Sequence, residues 1–348
     1  MIKSIQGLRL LAAWMVVFHH FTQIYFNFEK NNWFVLFFSN YGAYGVDLFF
    51  VISGFVIYHS TADKMTTPKQ FILHRLIRIA PAYWFFTLVV TILVVTCKGL
   101  IPLTAFELSF FFKSLLFLPA HNPSGIGFYP LLTIGWTLNY EMIFYMIFAL
   151  TLYLPLKLRF IATAVGLLSI VLLSSRLGGS FLFYSNKIMF EFLFGILINF
   201  FWRKKLIQRI NAKGAIILLL LAITSISIQE PRHHFLRLGI PCALIFTAVI
   251  SQDRWFNNDW LIRLGNWSYS TYLCHPLILA ISHLISLTLG INPFLMLCLS
   301  CLLILVVSFW SYSFIEKPIQ RYFKLQNPEK NSVTFTKETF TTTSLQQL

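Results

Sequence analysis

Charge is scarce in this sequence. Only 11% of its 348 residues are Asp, Glu, Lys or Arg, while 57% are hydrophobic, with 38 Phe among them. So little charge excludes an ordinary soluble domain of this length and fits a polytopic membrane protein. Cysteine is scarce as well. Cys97, Cys242, Cys274, Cys298 and Cys301 fall in or at the edge of apolar stretches, without metal-ligand or disulfide-framework spacing. They read as small hydrophobes. The first apolar stretch has no small-residue cleavage site after it, so it is expected to be a membrane span and not a signal peptide. Neither a solenoid-type repeat nor a second, soluble domain is visible.

What is present is a succession of apolar segments. Ten spans are expected, at roughly 5–27, 42–60, 81–97, 131–154, 159–175, 186–202, 213–229, 235–251, 267–289 and 293–315. The fold class is therefore all-α, a polytopic helical bundle. Residues 1–325 are expected to form the membrane-embedded domain, and 326–348 a polar, Thr- and Ser-rich disordered tail. The net charge of +15 invites a nucleic-acid reading, but the placement of the charges argues for topology. With both termini cytoplasmic, twenty of the 27 Lys and Arg fall inside and seven outside, as the positive-inside rule requires. No nucleic-acid partner is expected.

The first span carries the most informative pair, Arg9 and His20. Eleven residues at 100° each return His20 to within about 20° of the arginine's face, about 16 Å further along the axis. Ala13 and Val16 lie between them on that face, which can pack closely on a neighbour. His19 points elsewhere. An ionisable residue this deep in a span points to function; a histidine bonded to a neighbouring helix for packing is the plainer alternative.

Other spans add further polar groups. Asp47 lies near the outer end of the second span, between Gly45 and Gly54, which let another backbone come close. Arg75 and Arg78, if helical, share one face at the cytoplasmic surface. They could fork onto phosphates or simply set topology. Phe106–Leu118 is an apolar piece too short to span, expected to be re-entrant or to lie along the surface. Glu141 in the fourth span sits within about 5 Å of the depth of His20, so a His20–Glu141 pair is expected. Glu191 and His275 lie in later spans without an assigned role, and Pro276 breaks the hydroxyl-rich start of span nine.

These stretches together resemble the membrane-bound acyltransferase family often called acyltransferase 3, over about residues 3–323. The family's arginine, ten residues, histidine falls on Arg9 and His20, and its Arg-x-x-Arg on Arg75 and Arg78. Its Gly-Val-Asp-Leu-Phe-Phe-Val-x-Ser-Gly-Phe block falls on residues 45–55, and its Trp-x-Leu-x-x-Glu on Trp136, Leu138 and Glu141. The Ser-Tyr-x-x-Tyr-Leu-x-His-Pro block falls on 268–276, with Cys274 where an aromatic is commoner. The stretch from Pro119 to Glu141 looks most like the exopolysaccharide-modifying branch. The extracytoplasmic esterase-like domain of some members has no counterpart here.

The resemblance implies O-acylation of a sugar hydroxyl, on an exported polysaccharide or its lipid-linked precursor, in the bacterial inner membrane. It implies acyl-CoA as donor substrate, acetyl-CoA foremost, with no permanently bound cofactor and no metal. Arg75 and Arg78 would hold the CoA. His20 would act as base supported by Glu141, and Arg9 would attract phosphate or stabilise the oxyanion. Membrane lipid and other polysaccharide-biosynthesis proteins are candidate partners. The competing readings are a transporter or flippase of a lipid-linked glycan, a donor such as succinyl-CoA, or a non-polysaccharide acceptor.

Overall fold

The computed structural model describes residues 2–29, 32–63, 65–97, 99–101, 103–228 and 235–325. The expected tail over 326–348 lies outside the described residues. Among the described residues every regular element is helical. In chain order these are α1 (Ser4–Phe26), α2 (Trp33–Tyr41), α3 (Tyr44–Ala62), α4 (Pro68–Thr96) and α5 (Leu108–Leu115). Then come α6 (Trp136–Thr151), α7 (Leu156–Leu177), α8 (Glu191–Arg203), α9 (Ala212–Ile228) and α10 (Phe235–Ser251). The last are α11 (Asp259–Asn266), α12 (Ser268–Leu289), α13 (Pro293–Ser311) and α14 (Lys317–Leu325), with a π-helical turn at Tyr312–Glu316.

Local chemistry sets several of these ends. Thr67 and Gln70 form a reciprocal capping box, and Pro68 occupies the first turn, where its missing N–H costs nothing. The helix therefore starts well before the span expected at 81–97 and carries Arg75 and Arg78 on its own first turns. Pro81 sits inside it, as membrane helices tolerate. Asn292 caps α13 through the amides of Phe294 and Leu295, and Gly290 ends α12 in the left-handed region at φ 64°. The apolar piece around 106–118 forms the short α5. It is bonded to α4 through Tyr83 Oη to the Ser114 carbonyl (3.0 Å) and Trp84 Nε1 to the Leu115 carbonyl (2.8 Å).

Backbone contact between helices depends on glycine, as Gly45 and Gly54 suggested. A Cβ on Gly54 would overlap the Phe192 carbonyl on α8, and one on Gly195 would overlap the Val51 carbonyl on α3. A Cβ on Gly45 would strike the Ala12 carbonyl of α1. Around α3 the core is aromatic: Phe144 and Phe192 stack with centroids 4.1 Å apart, and Phe50 lies 4.8 Å from Phe192. Large apolar side chains face outward instead on α4 (Leu88, Ile92), α7 (Ile161, Val165, Leu172), α9 (Leu220, Ile223) and α13 (Leu302, Val306). Water would penalise such a surface, and hydrocarbon would not.

Six helical segments among the described residues are long and apolar enough to cross a membrane. They are Trp33–Ala62, Pro68–Thr96, Leu156–Leu177, Gly179–Arg203, Ser268–Leu289 and Pro293–Phe323. The protein is multi-pass. The expected ten is not reached by that measure: α1 is long enough but diluted by Arg9, His19 and His20, and α6 has only 16 residues.

Candidate active site

The arginines expected to matter converge on one cleft. Arg9 from α1 and Arg75 and Arg78 from α4 line an open space of about 760 Å³. The same space is lined by Ser53 on α3, Glu141 and Tyr145 on α6, and Tyr269 and Tyr272 on α12. Arg75 is held in place: its Nη2 donates to Ser60 Oγ at 3.1 Å, and its guanidinium lies 5.4 Å from the Phe71 ring centre and 5.9 Å from that of Tyr145. Glu141 accepts from Ser53 Oγ at 3.0 Å and from the Tyr145 hydroxyl, one helical turn on. It also stands near enough to attract Arg9 and Arg75. Glu316, buried on the π-helical turn, accepts from Ser270 Oγ and attracts Arg78 and Arg9. Three guanidiniums thus face two carboxylates, which leaves a positive surplus suited to a phosphate-bearing ligand. Among the described residues no group of three or more His, Cys, Asp or Glu is placed to hold a metal.

His20 lies apart from this cleft. Its Nδ1 is 3.0 Å from the Val16 carbonyl and 3.1 Å from Nε2 of His275, a fully buried residue on α12. Nδ1 of His275 in turn lies 3.2 Å from the Thr271 carbonyl. Carbonyls only accept, so in the neutral pair both Nδ1 atoms carry hydrogen. Nε2 of His275 then accepts from His20, and Nε2 of His20 keeps its lone pair. That is the arrangement of a base whose tautomer is fixed by a partner. His19 does point elsewhere, with Nδ1 3.0 Å from the Phe38 carbonyl.

The expected His20–Glu141 pair is therefore not formed. Equal depth was not enough, because α1 packs on α3 and α12 while α6 packs on α4 and α7. Tyr272 lines the cleft, and its ring centre lies 5.9 Å from that of His275, so it stands between the two polar groups. Its hydroxyl is tied to Thr137 Oγ1 (2.8 Å) and the Ile134 carbonyl (2.9 Å). Tyr145 was foreseeable from its four-residue offset to Glu141. His275 was visible as an ionisable group inside a span, but nothing in the sequence named its partner.

A family model described as an acyltransferase domain matches residues 2–313. The chain belongs to that family. It is an acyltransferase, and the transporter alternative falls away. Three curated relatives are similar over most of its length. "Exopolysaccharide production protein ExoZ" of Rhizobium meliloti (strain 1021) is 30% identical over 297 residues, covering 80% of this chain and 90% of the relative. "Acyltransferase MdmB" of Streptomyces mycarofaciens is 24% identical, covering 81% of this chain and 80% of MdmB. "Putative peptidoglycan O-acetyltransferase YrhL" of Bacillus subtilis (strain 168) is 26% identical, covering 92% of this chain and 55% of YrhL. No solved structure matches the chain.

Proposed function

We propose that this acyltransferase moves an acetyl group from acetyl-CoA to a sugar hydroxyl of an exported polysaccharide or its lipid-linked precursor. The observation that carries the donor is the cleft with three arginines against two carboxylates. The names of ExoZ and YrhL support the acceptor class and the acetyl group.

The CoA phosphates sit at Arg75, Arg78 and Arg9, with Glu141 and Glu316 holding the guanidiniums apart. The thioester points along α1 toward His20, past Tyr272. Nε2 of His20 takes the acceptor's hydroxyl proton as that oxygen bonds to the thioester carbon. The tetrahedral intermediate expels the CoA thiolate, which recovers the proton from His20. His275 fixes the His20 tautomer. Glu141, with no bond to His20, organises the arginines.

In this reading α1, α3, α4, α6, α7, α8, α9, α10, α12 and α13 make ten spans in the bacterial inner membrane. Both termini are cytoplasmic, as the twenty-to-seven distribution of Lys and Arg supports. The test is the O-acetyl content of surface and secreted polysaccharide in wild-type, deletion and His20→Ala strains at equal expression. Loss of O-acetyl in both mutants with polymer still exported is expected; unchanged acetylation in His20→Ala would sink the mechanism.

A further inference from the structure

Glu316 stands near enough to attract Arg9 and Arg78, yet it is not among the residues that line the open space of the cleft. We propose that it is a fixed counter-charge, set behind the arginines, that weakens their hold on the donor's phosphates and so lets spent CoA leave. The proposal rests on the reading of the cleft as the donor site.

Helix geometry puts the carboxylate there. Ser300, Ile304, Ser308 and Ser311 make one buried stripe along α13, in steps of four, four and three residues. A regular helix would continue that stripe at Phe314 or Ile315. It would carry Glu316, five residues past Ser311, about 140° off the stripe. The π-helical turn at Tyr312–Glu316 changes the register. Its bonds run from i to i+5, which brings the fifth residue back toward the face of the first. Phe314 is accordingly 65% exposed and Glu316 only 5%, so the buried stripe resumes at the glutamate. The same turn packs on α4, the helix that carries Arg78.

The carboxylate is tethered, and not by an arginine. Ser270 Oγ is bonded to Glu316 and also lies 2.7 Å from Ser311 Oγ. A hydroxyl has one proton, so Ser270 donates to Glu316 and accepts from Ser311. The neighbouring Tyr269 ties α12 to α4, its hydroxyl donating to the Ile79 carbonyl at 2.8 Å, beside Arg78. Among the described residues Arg9 and Arg78 enter no hydrogen bond or ion pair. Their N–H groups stay open to a ligand, while Glu316 offsets their charge from behind.

A ligand with several phosphates on three arginines leaves slowly unless something opposes the attraction. A negative charge in the wall of an apolar bundle repels those phosphates at close range. Held by Ser270, Glu316 keeps doing so after the donor has bound.

Calorimetry on the full-length protein in detergent, with CoA and with pantetheine, provides the test. Glu316→Gln keeps the size of the side chain and an oxygen for Ser270 but removes the charge. Its Kd for CoA should fall about tenfold, and CoA should inhibit transfer more strongly by the same ratio. Glu316→Asp keeps the charge and should bind CoA much as the wild type does. Pantetheine, which lacks the nucleotide phosphates, should gain nothing from Glu316→Gln. Unchanged or weaker CoA binding in that variant, or an equal gain for pantetheine, overturns the counter-charge. Ser270→Ala keeps the test open if Glu316→Gln does not fold. Without its hydroxyl partner the carboxylate turns to the guanidiniums, and CoA should bind several-fold more weakly; unchanged or tighter binding there overturns the proposal. A wild type that binds no CoA overturns the donor reading itself, and the counter-charge with it.

Discussion

His20 and His275, 255 residues apart in sequence, meet through a 3.1 Å contact between Nδ1 of one and Nε2 of the other. The contact joins α1 to α12 and, with both Nδ1 atoms protonated, leaves the lone pair of His20 Nε2 outside the pair. In the proposed reaction the second histidine acts through the first.

Replacing His275 should therefore slow turnover without weakening donor binding. His275→Ala is expected to lower kcat by about 10- to 100-fold, with the KM for acetyl-CoA little changed. His275→Gln should recover part of the loss, because its amide oxygen can accept from His20 Nδ1. Steady-state kinetics on the three proteins checks this; equal loss in Ala and Gln would mean that only packing had been removed.

Glu141 should act independently of the histidines. In a double-mutant cycle, the effects of Glu141→Gln and His275→Ala on kcat/KM are expected to multiply, with a coupling below about 0.5 kcal/mol. His20→Ala and His275→Ala should instead be strongly non-additive. A large coupling between Glu141 and His275 would restore the carboxylate to the histidine pair.

Arg75 is fixed between two rings, so lysine is not a conservative replacement for it. Arg75→Lys and Arg78→Ala are each expected to weaken CoA binding about tenfold and leave pantetheine, which lacks the nucleotide phosphates, unaffected. Calorimetry with the two ligands separates phosphate recognition from general damage to the cleft.

The crossing of α3 and α8 should tolerate no side chain. Gly54→Ala drives a methyl group into the Phe192 carbonyl, and overpacking of this kind costs about 1–3 kcal/mol. A lower thermal unfolding midpoint is expected, whereas Gly125→Ala, in an open turn, strains only its own backbone at φ 87°.

Just past the C-terminal end of α3, Asp63 pairs with Arg203 through two bonds of 2.6 and 2.7 Å. The hydrogen bond from Arg203 holds the Asp63 carboxyl below its ordinary value of 3.8. A lowered acid stabilises the fold above its ordinary value and loses that contribution as the pH falls through the lowered one. Asp63 is largely exposed, so Asp63→Asn should cost at most about 1 kcal/mol. Unfolding curves should show a constant difference from pH 5 to 8 that vanishes in strong acid.

Much of the candidate site was legible before the fold. The ten-residue gap between Arg9 and His20 and the three-residue step from Arg75 to Arg78 are helical arithmetic, and both helices exist. Gly45 and Gly54 marked close backbone contacts correctly. Neighbours around a helix were not legible. Depth along an axis follows from counting residues, but the order of helices in the membrane plane is set by packing between distant segments. For that reason Glu141 was matched to the wrong partner, and His275 and Glu316 had no place until α12 and the π-helical turn were seen beside α1 and α4.

Arg9 and His20 belong to one unbroken helix, and this makes α1 a ruler. About 16 Å of rigid backbone separates the proposed anion anchor from the proposed base, and no side-chain replacement can shorten it. A donor gripped by its phosphates would be measured as well as bound. One truncated in its arm would fall short of His20 however tightly it was held. A longer acyl group would have to find room beyond the histidine, so diversification of acyl length would be written in the residues past His20 and not in the arginines.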